Sequence, residues 1–470
     1  MDDEISIIHV NEFSSKVEPN EQRRENNSIV DLPPKDISPL NVLYIIVVFL
    51  GCIPLTLIYT LIPRKNSIYY PQYWYEYAAY LVTFTTLRIA TTQLMEVIIY
   101  MNVKSLKSIW TCLKHYLRIM LILGTFYLSS YLMWTVYLEN NHPMPFQALT
   151  GTIAWLVSLP LLFFWLPYDL ILEKEFRTKV YFFILYDIVF FLIHQHFTAL
   201  SILFGILPDN LQWVMAFIIP LSREFNSYLL SKIVGRVAGN DNEEANVLLD
   251  TTILLVYGMF VAIQLDTAND VTVYMILGVE FCLHVLDCYQ IIRLQRKVEA
   301  DGCETDMNDK QEKVRCLILA ETVEGMIPIL YALLFTTAYY GPNGTLIGNV
   351  RNGWWNYKAK EDVERFYKVM FQMFMIDVCC VIASSIILKI LGRINLFQEL
   401  CLLLKKYWII LMIKLAFSML FFGYNDVNGG MDFTLNFEWL TEEGRFKLIY
   451  NATDLSDKEK YFLMQNKSFS

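Results

Sequence analysis

Residues 317–330, LILAETVEGMIPIL, place Glu321 and Glu324 three positions apart inside an apolar run. That spacing puts both carboxylates on one helix face, and Pro328 continues the face about one turn further on. Another run carries Glu280, His284 and Asp287 at spacings of four and three, again a single stripe. Asp377 adds an acid in a third apolar run. Carboxyls crowded together in an apolar setting resist full ionisation, so such groups exchange protons or attract cations. A charged side chain at the centre of a bilayer costs about 2.5 to 3.5 kcal/mol even on the lenient insertion scale, so residues of this kind mark ion or proton paths.

The elements that must position these groups follow from composition. With 55% hydrophobic and 15% aromatic residues, 18% charged residues and a mean hydropathy of +0.37, the 470-residue chain is too apolar for an ordinary soluble protein. The expectation is an all-α, polytopic transmembrane helix bundle. About eleven runs approach the length of about 20 apolar residues that crosses the hydrocarbon. They are 41–62, 76–101, 116–138, 147–166, 180–206, 212–234, 246–266, 270–292, 316–339, 366–389 and 406–423, numbered here as spans 1 to 11. Spans 2 and 6 are diluted by Arg88, Glu96, Arg223, Glu224 and Asn226. Residues 1–40 hold nine acids against four bases and end in Pro33, Pro34 and Pro39, which reads as a disordered acidic tail and not a signal peptide. The division is therefore a tail at 1–40, a transmembrane domain at 41–423 and an extracytoplasmic segment at 424–470.

Orientation follows from basic residues, which favour the cytoplasmic side. With the N-terminus inside, the inner links hold Lys104, Lys107, Lys174, Arg177, Lys232, Arg236, Arg293, Arg296, Lys297, Lys310, Lys313 and Arg315, while the links after spans 3, 5 and 7 hold none. Arg64, Lys65, Arg351, Lys358, Lys360 and Arg365 run against the rule. An odd span count puts the C-terminus outside, where Asn451 (NAT) and Asn466 (NKS) form glycosylation sequons. None of the nine cysteines falls in an expected outer link, so no disulfide framework is expected.

Spans 8 and 9 run antiparallel, which sets Asp287 beside Glu321 and places Glu280 and Glu324 deeper: an acidic seam. Two readings compete for the buried charges. Asp377 with Lys414, and Glu224 with Arg88, suit pairs that hold helices together. The seam differs in balance, because the spans hold Arg88, Arg223 and Lys414 against Glu96, Asp187, Glu224, Asp250, Glu280, Asp287, Glu321, Glu324 and Asp377. Not all of these acids find a base, so some face water, hold a proton or meet a cation. His194 and His196, two apart, diverge by about 200° on a helix and do not chelate one metal. Each reads as a satisfied buried histidine or as a titrating relay group.

Several function classes lack their signatures. The net charge of −9 and the absence of a basic patch argue against a nucleic-acid partner. No metal or cofactor pattern is present, nor GxSxG, HExxH or a phosphate-cradling loop, and Tyr186-Asp187 is not followed by the GxGD of an intramembrane aspartyl protease. Gly51 and Pro54 in span 1 and Pro220 in span 6 suit a pair of broken helices in inverted repeats, but Pro160 and Pro328 interrupt spans 4 and 9 equally. Residues 394–408 read as an amphipathic helix on the inner surface ahead of span 11. The aromatic loop 339–360, with Trp354, Trp355 and Tyr357, reads as an interfacial belt. The leading expectation is a solute or ion transporter, whose partners are membrane lipid and a small solute or ion. A membrane receptor or receptor-like channel using the 339–360 loop is the second, and an intramembrane transferase using His194 or His196 the third. Nothing in the sequence sets an oligomeric state.

Overall fold

The computed structural model describes residues 74–102, 109–132, 163, 171–208, 210–239, 242–301, 304–340 and 360–427, together with 47, 48, 50, 51, 53, 54 and 57. All of them belong to one compact unit, Pro39–Ser470. The acidic tail, Trp354, Trp355 and Tyr357, and both sequons lie outside the described residues, as do span 4 apart from Phe163 and most of span 1.

Among the described residues 94% are helical, which leaves no room for a sheet. The longer helices are α1 (Trp74–Tyr100), α2 (Ile109–Leu132), α3 (Lys174–Ile206), α4 (Met215–Ala238), α5 (Glu243–Thr267), α6 (Asp270–Asp301), α7 (Glu304–Tyr340), α8 (Lys360–Leu391) and α9 (Leu396–Val427). Five of these, α3 and α5 to α8, are long and apolar enough to cross a membrane. The sequence reading expects eleven spans. Spans 2, 3, 6 and 11 form helices as far as they are described, with Arg223 and Glu224 inside the apolar run of α4.

Local sequence explains the ends. The Asn242 side chain accepts the Ala245 amide at 3.2 Å and caps α5, with Glu243 and Glu244 in the first turn facing the positive end of the helix dipole. Asn269 does the same for α6 through the Thr272 amide at 2.8 Å, and only residues 268 and 269 separate α5 from α6. Gly239 closes α4 at φ 88, a left-handed conformation that a side chain would strain.

Helix α5 is the axis of the bundle. Its apolar stretch is 89% buried, against 22% for α8, and every residue from 251 to 266 is buried. It packs against α7, α4, α9, α3 and α8. Gly258 allows the closest approach to α7, because a Cβ there would fall on the Ile327 side chain. Buried hydroxyls on these two helices bond backward within their own helix, Thr251 to the Val247 carbonyl and Thr322 to the Ile318 carbonyl, each at 2.7 Å. Neither hydroxyl is therefore left as an unsatisfied donor. The outer helices turn large apolar groups outward, including Tyr181 and Leu192 on α3, Tyr274 and Leu286 on α6, and Phe371 and Ile386 on α8. So broad an exposed apolar surface suits lipid and not water.

The link between spans 8 and 9 is helical almost throughout: α6 continues to Asp301 and α7 begins at Glu304. One expectation is corrected. Residues 394–408 are not a separate surface helix, because α9 runs without interruption from Leu396 into the last apolar run. Its Leu396 and Leu403 are buried within the bundle, so the amphipathic stripe is used against protein.

Where α9 starts, Glu399 lies outside the spanning segments near Lys310, which is itself buried and donates to Gln295 at 2.8 Å. Burial pushes the Glu399 carboxyl from 4.5 up to about 7, with Lys310 pulling the other way. The folded chain therefore binds this proton more tightly than the unfolded chain. The contribution of Glu399 to stability is most favourable below 4.5 and falls as pH rises towards about 7. Glu399→Gln is expected to flatten this slope, so that the variant gains thermal stability relative to wild type across that window. Parallel melting curves for the two proteins over that pH range would refute the assignment.

Candidate buried polar site

The five helices α4 to α8 each bring one or more polar side chains to a single buried network. Arg223 on α4 donates from Nη1 to Glu324 Oε1 on α7 at 3.2 Å. Its Nε and Nη2 donate to the neighbouring Glu224 at 3.3 and 3.2 Å, and its guanidinium lies 4.7 Å from the ring centroid of Tyr257 on α5. His284 on α6 stands between the two glutamates of α7, with Nε2 at 3.3 Å from Glu324 and Nδ1 at 3.7 Å from Glu321. Ser384 on α8 donates to Glu321 at 2.9 Å, and Tyr257 donates to Glu280 on α6 at 3.1 Å. Asp377 is buried on α8 seven residues before Ser384, with its Cβ 3.9 Å from the place a Cβ on Gly325 would take.

The helix pattern produces this convergence. Spacings of three on α7 and four on α6 keep Glu321, Glu324, Glu280 and His284 on facing stripes, and α6 packs against both α7 and α8. Two prolines flank the network. Pro328 cannot donate to the Glu324 carbonyl one turn earlier, and Pro220 leaves the Ala216 carbonyl without its helical partner just ahead of Arg223.

Four buried carboxyls, Glu280, Glu321, Glu324 and Asp377, meet one guanidinium and one imidazole. Even with the imidazole charged, full ionisation would leave surplus negative charge in a low-dielectric interior. Two acceptors are left over: Glu321 Oε2 and Asp377 Oδ2 are buried without a hydrogen-bond partner. The arrangement can hold protons or admit a cation. Among the described residues, no three His, Cys, Asp or Glu side chains are gathered as a metal ion requires.

The remaining residues singled out in the sequence fall elsewhere. Asp287 is half-buried one turn from His284 and makes none of the contacts above. One expected pair is replaced: Lys414 meets Glu96 on α1 at 2.5 Å and not Asp377, because its face of α9 packs on α1 while Asp377 faces α7. Glu224 pairs with Arg223, and the Arg88 side chain lies outside the described residues. His194 is half-buried with its ring edge-on to Phe190 at 5.2 Å and near Phe260 at 6.3 Å, whereas His196 is exposed. Asp187 is buried on α3 beside Tyr186, whose hydroxyl meets that of Tyr100 at 3.4 Å.

Sequence reasoning left Arg223, Tyr257 and Ser384 out of the seam. Each carried a signal: an arginine three residues after a proline in an apolar run, and polar tips within mainly apolar spans.

The fold and site define an all-α helical bundle with an apolar exterior and a charged interior, an architecture compatible with an integral membrane protein. No protein-family model, curated protein or solved structure matches the chain.

Proposed function

We propose that this chain is a multi-pass membrane transporter that moves a small solute or ion, and that Glu280, His284, Glu321, Glu324 and Asp377 form its proton- or cation-exchanging site. One observation carries the reading: four buried carboxyls share one guanidinium and one imidazole at a junction of five helices, with two acceptors unoccupied. Charge that serves packing alone is matched pair by pair, as Lys414 and Glu96 are. Surplus acid that changes its proton or cation occupancy biases a helix junction between conformations. Pro220 and Pro328 place weakened helix segments where such a bias would act. The test is flux of labelled small solutes into proteoliposomes under an imposed pH gradient. Flux that follows the gradient supports the reading, and an intact fold with no flux of any solute removes it.

A receptor is favoured by a different observation. The α3–α4 connection, the α5–α6 turn and the start of α8 border an open depression of about 730 Å³ lined by Trp213, Asp270, Arg365 and Lys368 among others. A ligand site there would respond to Trp213→Ala and leave the pH dependence of any flux unchanged.

In this reading the N-terminus is cytoplasmic and the C-terminus extracytoplasmic. Asn451 is then expected to carry glycan in a eukaryotic secretory host, and a tag on residue 1 to be reached only from the cytosol. An Asn451→Gln variant that migrates identically to wild type, with both termini reached from the cytosol, would overturn this topology.

A further inference from the structure

Arg223 holds its place in the network unevenly. Two of its three guanidinium nitrogens already serve Glu224, whose side chain is 71% exposed, and only Nη1 reaches the buried Glu324. Turning the guanidinium outward onto Glu224 would give up a single hydrogen bond and the face of Tyr257. What it would leave behind is an aromatic ring, held in place by its hydroxyl bond to Glu280, beside the Glu324 carboxylate. Glu321 Oε2 and Asp377 Oδ2 are buried, unpartnered acceptors in the same network. An aromatic face beside a carboxylate is the chemistry that recognises an organic cation, whose charge is diffuse and whose several N–H groups need acceptors. An inorganic divalent ion demands a tight shell of ligands instead, and the described residues do not gather one.

We propose that the Arg223 guanidinium occupies, as an internal stand-in, the binding site of a small organic cation with a guanidinium or ammonium head, which takes the Tyr257 face and the Glu324 carboxylate when Arg223 turns outward. Naming that cation as the transported substrate rests on the transport reading above. Arg223 is then a tethered competitor: it keeps the junction neutralised when the substrate is absent and lowers apparent affinity by the fraction of time it fills the site.

The test is binding of guanidinium and of methylammonium to the purified full chain in lipid nanodiscs, read as a saturable rise in melting temperature at constant ionic strength, with potassium chloride as the control. Wild type is expected to respond to both organic cations and not to potassium. Arg223→Ala is expected to bind guanidinium about tenfold more tightly, because the competitor is gone. Tyr257→Phe keeps the ring and is expected to stay within about threefold of wild type, whereas Tyr257→Leu removes the cation–π face and is expected to lose the response. If Tyr257→Leu does not fold, the Arg223→Ala and Tyr257→Phe comparisons decide. Equal responses to guanidinium and potassium, or an unchanged affinity in Arg223→Ala, would overturn the proposal. Binding without pH-driven flux would overturn the transport reading alone, and flux without organic-cation binding would overturn this proposal alone.

Discussion

Glu324→Gln is expected to leave the fold intact while abolishing the pH dependence of flux and lowering its rate at least about tenfold, the factor that corresponds to 1.4 kcal/mol. The geometry explains why the two effects separate. A glutamine at 324 keeps an amide oxygen within reach of Arg223 Nη1, Arg223 keeps Glu224, and the glutamine NH2 donates to His284 Nε2 when the imidazole is neutral. The stability cost is then that of weakening a hydrogen bond, about 1 kcal/mol. The charge is lost altogether, and it is the charge that draws both Arg223 and His284 into the network. Glu321 contacts His284 at a longer 3.7 Å and is otherwise held by a neutral hydroxyl, so Glu321→Gln is expected to reduce flux by only about threefold. The measurement is initial flux against pH for the three proteins at matched reconstitution. Unchanged pH dependence in both variants would return the cluster to a packing role.

The second large effect belongs to the pair outside that network. Lys414 and Glu96 lie 2.5 Å apart with side chains 5% and 0% exposed, joining α9 to α1. Removing one partner of such a pair leaves an uncompensated buried charge, at a cost of about 3 to 5 kcal/mol. That is a large part of the whole stability of a folded chain, about 5 to 15 kcal/mol. Lys414→Met alone and Glu96→Leu alone are each expected to lower the yield of folded protein severely. The double variant should recover most of it, because packed apolar residues replace a buried pair at little net cost. Unfolding midpoints of the four proteins in detergent complete the cycle. A double variant as unstable as either single one would show that the two charges do not depend on each other.

The periodicities of the sequence made the helices and two of the stripes legible. Spacing alone put Glu321 with Glu324 and Glu280 with His284, because i, i+3 and i, i+4 positions share a face whatever the tertiary fold. It did not say which stripe faces which. Lys414 and Asp377 stand at similar depth in spans 10 and 11, yet depth says nothing of azimuth, and α9 turns its lysine to α1 instead. Arg223 was given no partner for the same reason: its place beside Tyr257 and Glu324 depends on how α4 crosses α5 and α7, which a one-dimensional pattern does not encode. The 394–408 segment shows another limit. A stripe of leucines with lysines at its end fits a membrane surface and a protein groove alike, and only the burial of Leu396 and Leu403 distinguishes them. Five of the described helices are long and apolar enough to cross a membrane, and spans 1 and 4 of the expected eleven lie mostly outside the described residues.

The central claim is that the buried carboxyl network exchanges protons or cations across the membrane. Lumenal pH, followed with a trapped dye in proteoliposomes when a transported solute is added outside, tests it most directly. The account predicts a lumenal pH change that scales with solute uptake in the wild type and is absent in Glu324→Gln. Solute uptake with no pH change in either protein, and no dependence on other cations, would contradict it.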